Sequence, residues 1–185
     1  MVEQEQLNII KLFSDKPDVE LTIHQISKTI KKSYAFTNKY THELINDGIL
    51  RKKLIGNAIV CSLSLDSEQA IGLLILNSIN KKVSFEKMLK PEQKIALAEY
   101  IKSIDADVET VFIDTNSSPC IKIVSRSNIL SLSSEKKISG FKVSIISIEQ
   151  FRKDLQSMEL SKIIVVKNHE LFWNNILSRR GGYRY

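Results

Sequence analysis

The chain has 185 residues, enough for one large domain or two small ones, and its 43% apolar and 26% charged content is that of an ordinary globular protein with a real core. No apolar run approaches the roughly 20 residues of a bilayer span, and the opening MVEQEQ lacks the basic-then-apolar order of a signal peptide, so a soluble cytoplasmic protein without membrane contact is expected. The formal net charge of +6 and pI near 9.2 lean mildly towards polyanions.

The elements run as follows. Gln4 to Phe13 carries Leu7, Ile10, Leu12 and Phe13 at near-helical spacing and reads as a first helix, broken between Ser14 and Pro17. Glu20 to Ile23 suits a short strand. Thr22 followed by Gln25 is a capping-box pattern for a second helix that buries Ile23, Ile26 and Ile30 and ends near Lys31 and Lys32. Ser33 caps a third helix from Tyr34 to Asp47, stopped by Gly48. At about 100° per residue, Phe36, Thr37, Tyr40, Thr41 and Leu44 share one side of it. The opposite side carries Ala35, Asn38, Lys39, His42 and Asn46, which are small, amide or basic side chains of the kinds that read base edges and touch phosphates. Ile49 to Ile55 and Ala58 to Leu65 read as strands joined at Gly56–Asn57, with Arg51, Lys52 and Lys53 loading the first.

Two short helices, a basic turn and a cationic hairpin in this order predict a winged helix-turn-helix over residues 1–65. Lys28, Lys31, Lys32, Lys39, Arg51, Lys52 and Lys53 stand against only Glu43 and Asp47, an excess of five positive charges within 26 residues. The expected partner is double-stranded DNA. Ala35, Asn38, Lys39 and His42 are the candidate groove residues, and Ser33 and Tyr34 at the start of the helix are further DNA-binding candidates. Lys31, Lys32, Arg51, Lys52 and Lys53 are the candidate backbone contacts, and the turn residue Asn57 is a further DNA-binding candidate.

Residues 66–90 read as a linker, in which Asp66 or Ser67 caps an apolar helix through Ile71, Leu74, Ile75 and Ile79 before a Lys81–Lys90 connection. That helix is apolar enough for a core or a homodimer interface. Residues 91–178 read as a small α+β domain. Pro91 opens a helix burying Ile95, Leu97, Ala98 and Ile101. Strands follow at Glu109–Ile113, Cys120–Val124 and Lys142–Ile146, with Ser125–Ser139 a loop or short irregular helix. Ser147 caps a helix from Ile148 to about Gln156, and a last helix begins near His169, its Phe172 and Trp173 expected in the core. Residues 179–185, with Arg179, Arg180 and Arg184, read as a flexible basic tail.

Candidate chemistry is sparse. Cys61 and Cys120 belong to no CxxC pair and have no histidine at ligand spacing, so they are expected as reduced, buried hydrophobes rather than a zinc site. His24, His42 and His169 lack the acid or nucleophile neighbour that acid–base work needs. No cofactor and no metal are expected.

Two segments carry a resemblance: KVSIISIEQFRKDL, a strand running into a helix through Ser147, and KIIVVKNHELFWNNI, an apolar run before an aromatic helix. With the element order over Pro91 to Leu177, they resemble the nucleotidyltransferase-like domains attached to winged helices in archaeal transcriptional regulators. Active members of that group carry a Gly-Ser pair after one strand and an Asp-x-Asp on the next, where two carboxylates hold magnesium. Here the first strand ends VFIDTNSSP, and Pro119, Cys120, Ile121 and Lys122 stand where acids are needed, leaving Asp114 alone. The resemblance therefore implies a degenerate, non-catalytic domain serving dimerisation or the sensing of a partner or ligand. The expected whole is a dimeric, nucleoid-associated transcriptional regulator and not an enzyme. The alternatives are a divergent nucleotidyltransferase using Asp114, or an adaptor whose winged helix packs on protein.

Overall fold

The computed structural model describes residues 3–104, 108–116, 118–126 and 137–180, without the side chains of 137, 179 and 180. The chain forms two compact units, Met1–Asn77 and Ser78–Tyr185. The expected tail lies almost wholly outside the described residues.

The first unit contains α1 (Gln4–Asp15), β1 (Leu21–Thr22), α2 (Ile23–Ile30), α3 (Tyr34–Asn46), β2 (Leu50–Ile55), β3 (Ala58–Leu63) and the start of α4 (Glu68–Met88). The strands form an antiparallel sheet in the order β1-β3-β2, with Leu50 opposite Leu63 and Ile55 opposite Ala58 at the hairpin end. This is a winged helix. Each helix starts where local chemistry dictates. Thr22 Oγ1 accepts the Gln25 N–H at 3.1 Å while Gln25 Oε1 accepts the Thr22 N–H at 2.8 Å, and Ser33 Oγ accepts the Phe36 N–H at 3.2 Å. Ile9, Ile10, Phe13, Ile23, Ile26, Leu44, Leu50, Cys61 and Leu74 make the core. In α1 the buried stripe is Gln6, Ile9, Ile10 and Phe13, not one through Leu7 and Leu12, which are half-buried; Ile30 is half-buried too.

Both helices around the turn end in the same way. In α3, Gly48 adopts φ +68°, its N–H donates to Ile45 O and the Ile49 N–H to Leu44 O. In α2, Lys31 adopts φ +57°, its N–H donates to Lys28 O and the Lys32 N–H to Ser27 O. Glycine accepts that backbone region freely, whereas a side chain there costs about 1 kcal/mol.

The sequence-based connection at Lys81–Lys90 is corrected: α4 continues unbroken over 21 residues to Met88. No glycine or proline lies between Gly72 and Pro91, and lysine favours helix, so nothing stops it sooner. Ser67 is the capping side chain, its Oγ accepting the Ala70 N–H at 3.4 Å.

The second unit adds α5 (Pro91–Ser103), β4 (Val108–Asp114), β5 (Cys120–Ser125), β6 (Lys137–Ile138), β7 (Phe141–Ser147), α6 (Ile148–Asp154), a 3-10 turn (Leu160–Lys162), β8 (Ile163–Lys167) and α7 (His169–Arg180). Its five-stranded sheet has the order β6-β7-β5-β4-β8, antiparallel except for β5 with β7. Strand alternation divides the core between two faces. Val111, Ile113, Ile121, Ile123, Val143, Ile164 and Val166 pack with Phe85, Leu97, Tyr100 and Ile101. On the other face, Phe112 meets Phe151 and Phe172 with ring centroids 5.5 and 5.7 Å apart, and Phe172 meets Trp173 edge-on. The arrangement is three layers, helices on both sides of a mixed sheet.

Several expectations change here. Ile95 and Ala98 are exposed, because the inward side of α5 runs through buried Leu97 and half-buried Tyr100 and Ile101 instead. β6 and β8 are strands that the three expected runs did not include. Of the expected Ser125–Ser139 loop, residues 127–136 lie outside the described residues. Cys120 is half-buried, not buried like Cys61.

Two bulges matter. The β4–β5 register skips Glu109, and the β4–β8 register skips Val166. A bulge re-aims its side chain: Glu109 accepts from Arg126 Nε and from Asn175 Nδ2, both at 2.6 Å, and Asn175 Oδ1 accepts from Arg152 Nε at 3.2 Å. The Val166 carbonyl accepts from Lys82 Nζ at 3.1 Å, and Lys81 Nζ donates to Leu160 O and Ser161 O.

Candidate nucleic-acid interface

The candidate residues fall on three pieces of the first unit. The first is the turn. Lys31, Lys32, Ser33 and Tyr34 are all exposed, Tyr34 to 53%. The left-handed Lys31 lets α2 stop after Ile30 and α3 begin at Tyr34, with only three residues between. Lys32 Nζ lies 5.4 Å from the centroid of Phe36.

The second is α3. Thr37, Tyr40, Thr41 and Leu44 are buried and Phe36 is half-buried, which fixes the inward side. Ala35, Lys39 and Asn46 are exposed, and Asn38 and His42 half-exposed, on the side turned away. Lys39 Nζ sits 5.0 Å over the Tyr40 ring and 3.9 Å from Glu43 Oε1, a loose surface pair worth little in water. Glu43 is also engaged from α1, accepting from Gln6 Nε2 at 3.2 Å. The hydroxyls of Thr37 and Thr41 are buried without a partner among the described residues, so these two positions are held by packing, while Tyr40 beside them is hydrogen-bonded to Glu3.

The third is the hairpin. Arg51, Lys52, Lys53 and Asn57 are all exposed, but they are not equivalent. Successive strand residues face opposite ways, so Arg51 and Lys53 lie on one face of β2 and Lys52 on the other. Arg51 Nη2 is ion-paired with Asp66 Oδ1, and Ser64 Oγ donates to the same oxygen at 3.3 Å. The backbone N–H of Asp66, then Arg51 and Ser64, hold its carboxyl below the usual carboxylate range. Arg51 is thus drawn towards a carboxylate, while Lys52 and Lys53 face solvent. Sequence reading misses this pair because its members stand 15 residues apart.

The remaining groups carry little chemistry. Burial pushes the Cys61 thiol up to about 11, so it is inert near neutrality. Burial, then the nearby Lys82, pushes His169 down to about 4, and its Nδ1 lies 2.6 Å from Ser78 Oγ. Asp114 pairs with Lys122 Nζ at 3.4 Å and accepts the Asn116 N–H at 3.0 Å. Among the described residues no three His, Cys, Asp or Glu side chains are grouped to hold a metal ion, and no helix is long and apolar enough to cross a membrane.

No protein-family model matches the chain, and no curated protein matches it. Similar solved structures include MepR, a transcription regulator of the Staphylococcus aureus multidrug efflux pump MepA, at 13% identity over 56% of this chain and 81% of that one, with a TM-score of 0.40. They also include the zinc-responsive MarR family member ZitR of Lactococcus lactis, at 14% identity over 55% and 73% of the two chains and a TM-score of 0.35. A ZitR mutant in complex with DNA is similar at 14% identity over 56% and 73%, again with a TM-score of 0.35.

Proposed function

We propose that this chain is a DNA-binding transcriptional regulator, in which α3 of the winged helix reads the major groove and the turn and hairpin hold the phosphates. The observation that carries the reading is the division of α3. Its apolar and threonine side is sealed in the core, while Ala35, Asn38, Lys39 and His42 are left to water on the other. Asn38 and His42 suit base edges, and Ala35 allows close approach. Lys31, Lys32, Lys52 and Lys53 act as phosphate contacts, and Arg51 serves chiefly to pin the hairpin to Asp66. Tyr34, Ser33 and Asn57 sit at the margins as hydroxyl and amide donors to the backbone.

The test is a mobility shift with random-sequence duplex DNA at low salt. Four phosphate contacts per module give a log–log salt slope of about −3.6, or about −7 for a dimer. Lys52→Ala with Lys53→Ala weakens binding to every sequence alike, whereas Asn38→Ala changes sequence preference. A slope near zero, or a double variant that binds as well as the parent, removes the reading.

The second unit acts in this proposal without catalysis, as a dimerisation or sensing domain. Two observations support this. Asp114 has a lysine beside it, and among the described residues no carboxylate cluster completes a donor set for a nucleotide-bound metal. Ile79 and Val83, one turn apart on α4, stay 39% and 43% exposed, an apolar surface suited to a second copy. Sedimentation of a monomer at high micromolar concentration removes the dimer. Nucleotide binding that requires Mg²⁺ and Asp114 restores the enzyme alternative.

A further inference from the structure

The end of the β2–β3 hairpin carries side chains that the proposed DNA reading leaves unused. Leu54 is 71% exposed and Ile55 52%, and across the Gly56–Asn57 turn they stand opposite Ile59 and Ala58. By strand alternation, Leu54 with Ile59 forms one side of the tip and Ile55 with Ala58 the other, so the tip is apolar on both sides. Behind it the chemistry changes at once. Lys53, Lys52 and Arg51 follow along β2, and Leu50–Leu63 contains no carboxylate. Single exposed aliphatic residues are ordinary. An apolar patch exposed on both sides of the hairpin, directly behind its Gly56–Asn57 turn, is a surface built to be covered.

The cations behind the tip select the class of occupant, which must be a polyanion with an apolar interior close behind its charges. Duplex DNA has that construction, with stacked bases lying behind the phosphates. At about 3.4 Å per strand residue, Leu54 and Ile55 extend roughly 7–10 Å beyond Lys52, comparable to the ~7.5 Å depth of the minor groove. We infer that Leu54 and Ile55 form a wedge that enters the minor groove while the lysines grip its phosphate walls, opening one base step and kinking the duplex. Burial of two large aliphatic side chains offsets the lost base stacking. Because pyrimidine–purine steps open most readily, a TpA step beneath the hairpin is favoured over a stiff A-tract. The inference rests on the DNA reading above.

The experiment uses the full chain with end-labelled duplexes of about 30 base pairs, carrying either a central TpA step with 2-aminopurine beside it or an A-tract. Energy transfer between the ends reports bending, and 2-aminopurine fluorescence reports unstacking. The parent protein shortens the end-to-end distance, brightens the TpA duplex and prefers it by ~3–10-fold. Leu54→Ser with Ile55→Ser, at exposed positions that leave the far-ultraviolet dichroism unchanged, keeps low-salt binding within about 3-fold and the same salt slope but loses bend, brightening and preference. Leu54→Met, still apolar, retains all three. Binding by the parent without bend or brightening, or a serine variant that still kinks DNA, overturns the wedge and leaves the DNA reading intact. No binding to either duplex at low salt is instead the failure of the DNA reading, and the wedge falls with it. Binding to phosphatidylserine vesicles that the serine variant loses, with DNA bending unaltered, assigns the tip to a lipid surface and likewise overturns the inference.

Discussion

The two units distribute charge along the chain in different ways. Met1–Asn77 carries nine Lys and Arg residues and nine Asp and Glu residues, and is formally neutral. Its charges are segregated along the chain: five carboxylates precede Lys28, and seven cations then crowd into Lys28–Lys53. Ser78–Tyr185 holds eighteen cations against twelve carboxylates, and so the entire formal +6. Five cations of that unit are engaged within it, Lys122 on Asp114, Arg126 on Glu109, Lys81 and Lys82 on backbone oxygens, and Lys167 Nζ donating to Ile104 O at 2.9 Å. The lesson is that net charge and available charge are different quantities. The unit with no net charge gathers its exposed cations into one short stretch, whereas the exposed Lys87, Lys90, Lys94, Lys102, Lys142, Lys153 and Lys162 of the other are spread along its chain.

This contrast is open to attack, first in the unit whose energy lies inside. Phe112→Ala removes the ring at the centre of the Phe151–Phe172 cluster and is expected to cost about 3–5 kcal/mol, read as a fall in urea midpoint. Glu109→Ala breaks the junction of Arg126 and Asn175 and strands a buried amide, costing about 2–3 kcal/mol by the same measurement. His169 gives a pH signature. Folded, it protonates only near pH 4; unfolded, near 6.5, so between those values the unfolded chain binds more protons. Stability therefore falls as pH drops from 6.5 towards 4, by on the order of 1 kcal/mol given that solvent reaches this half-buried ring, and His169→Gln flattens that slope.

Changes in the first unit are expected to act on binding more than on folding. Lys31→Gly relieves the left-handed backbone at the turn and raises the melting free energy by about 0.5–1 kcal/mol, while lowering duplex affinity through the lost cation. Lys52→Ala with Lys53→Ala shifts stability by less than about 0.5 kcal/mol, since neither side chain is buried. If the lysine changes destabilise as much as Glu109→Ala does, the distinction between the units is wrong.

What could be read from sequence follows the range of the forces involved. Thr22 with Gln25, Ser33 and Gly48 act within a single helical turn, and each is found capping where the residues require. The sides of α3 follow from periodicity alone. Longer-range facts were hidden. Ile163–Val166 is a short apolar run that suits a strand or a buried helix equally, and only its pairing with β4 decides. The apolar positions 95, 97, 98 and 101 permit two stripes on α5, and the sheet selects the one through Leu97. The candidate interface was legible as a set of residues, but the Arg51–Asp66 pair and the left-handed Lys31 were not, because one depends on tertiary contact and the other on backbone geometry.

β8 borders its sheet, and Ile163, Ile164, Val165 and Val166 form the kind of dry β-branched segment that stacks readily onto copies of itself. Lys82 and Lys81 stand as a fence there, Lys82 Nζ on the Val166 carbonyl of the strand and Lys81 Nζ on the Leu160 and Ser161 carbonyls of the turn just before it. Acetylation of these two side chains removes the fence without touching the core. A chain so modified should remain folded and yet seed fibrils, detectable as thioflavin fluorescence that the unmodified protein does not develop.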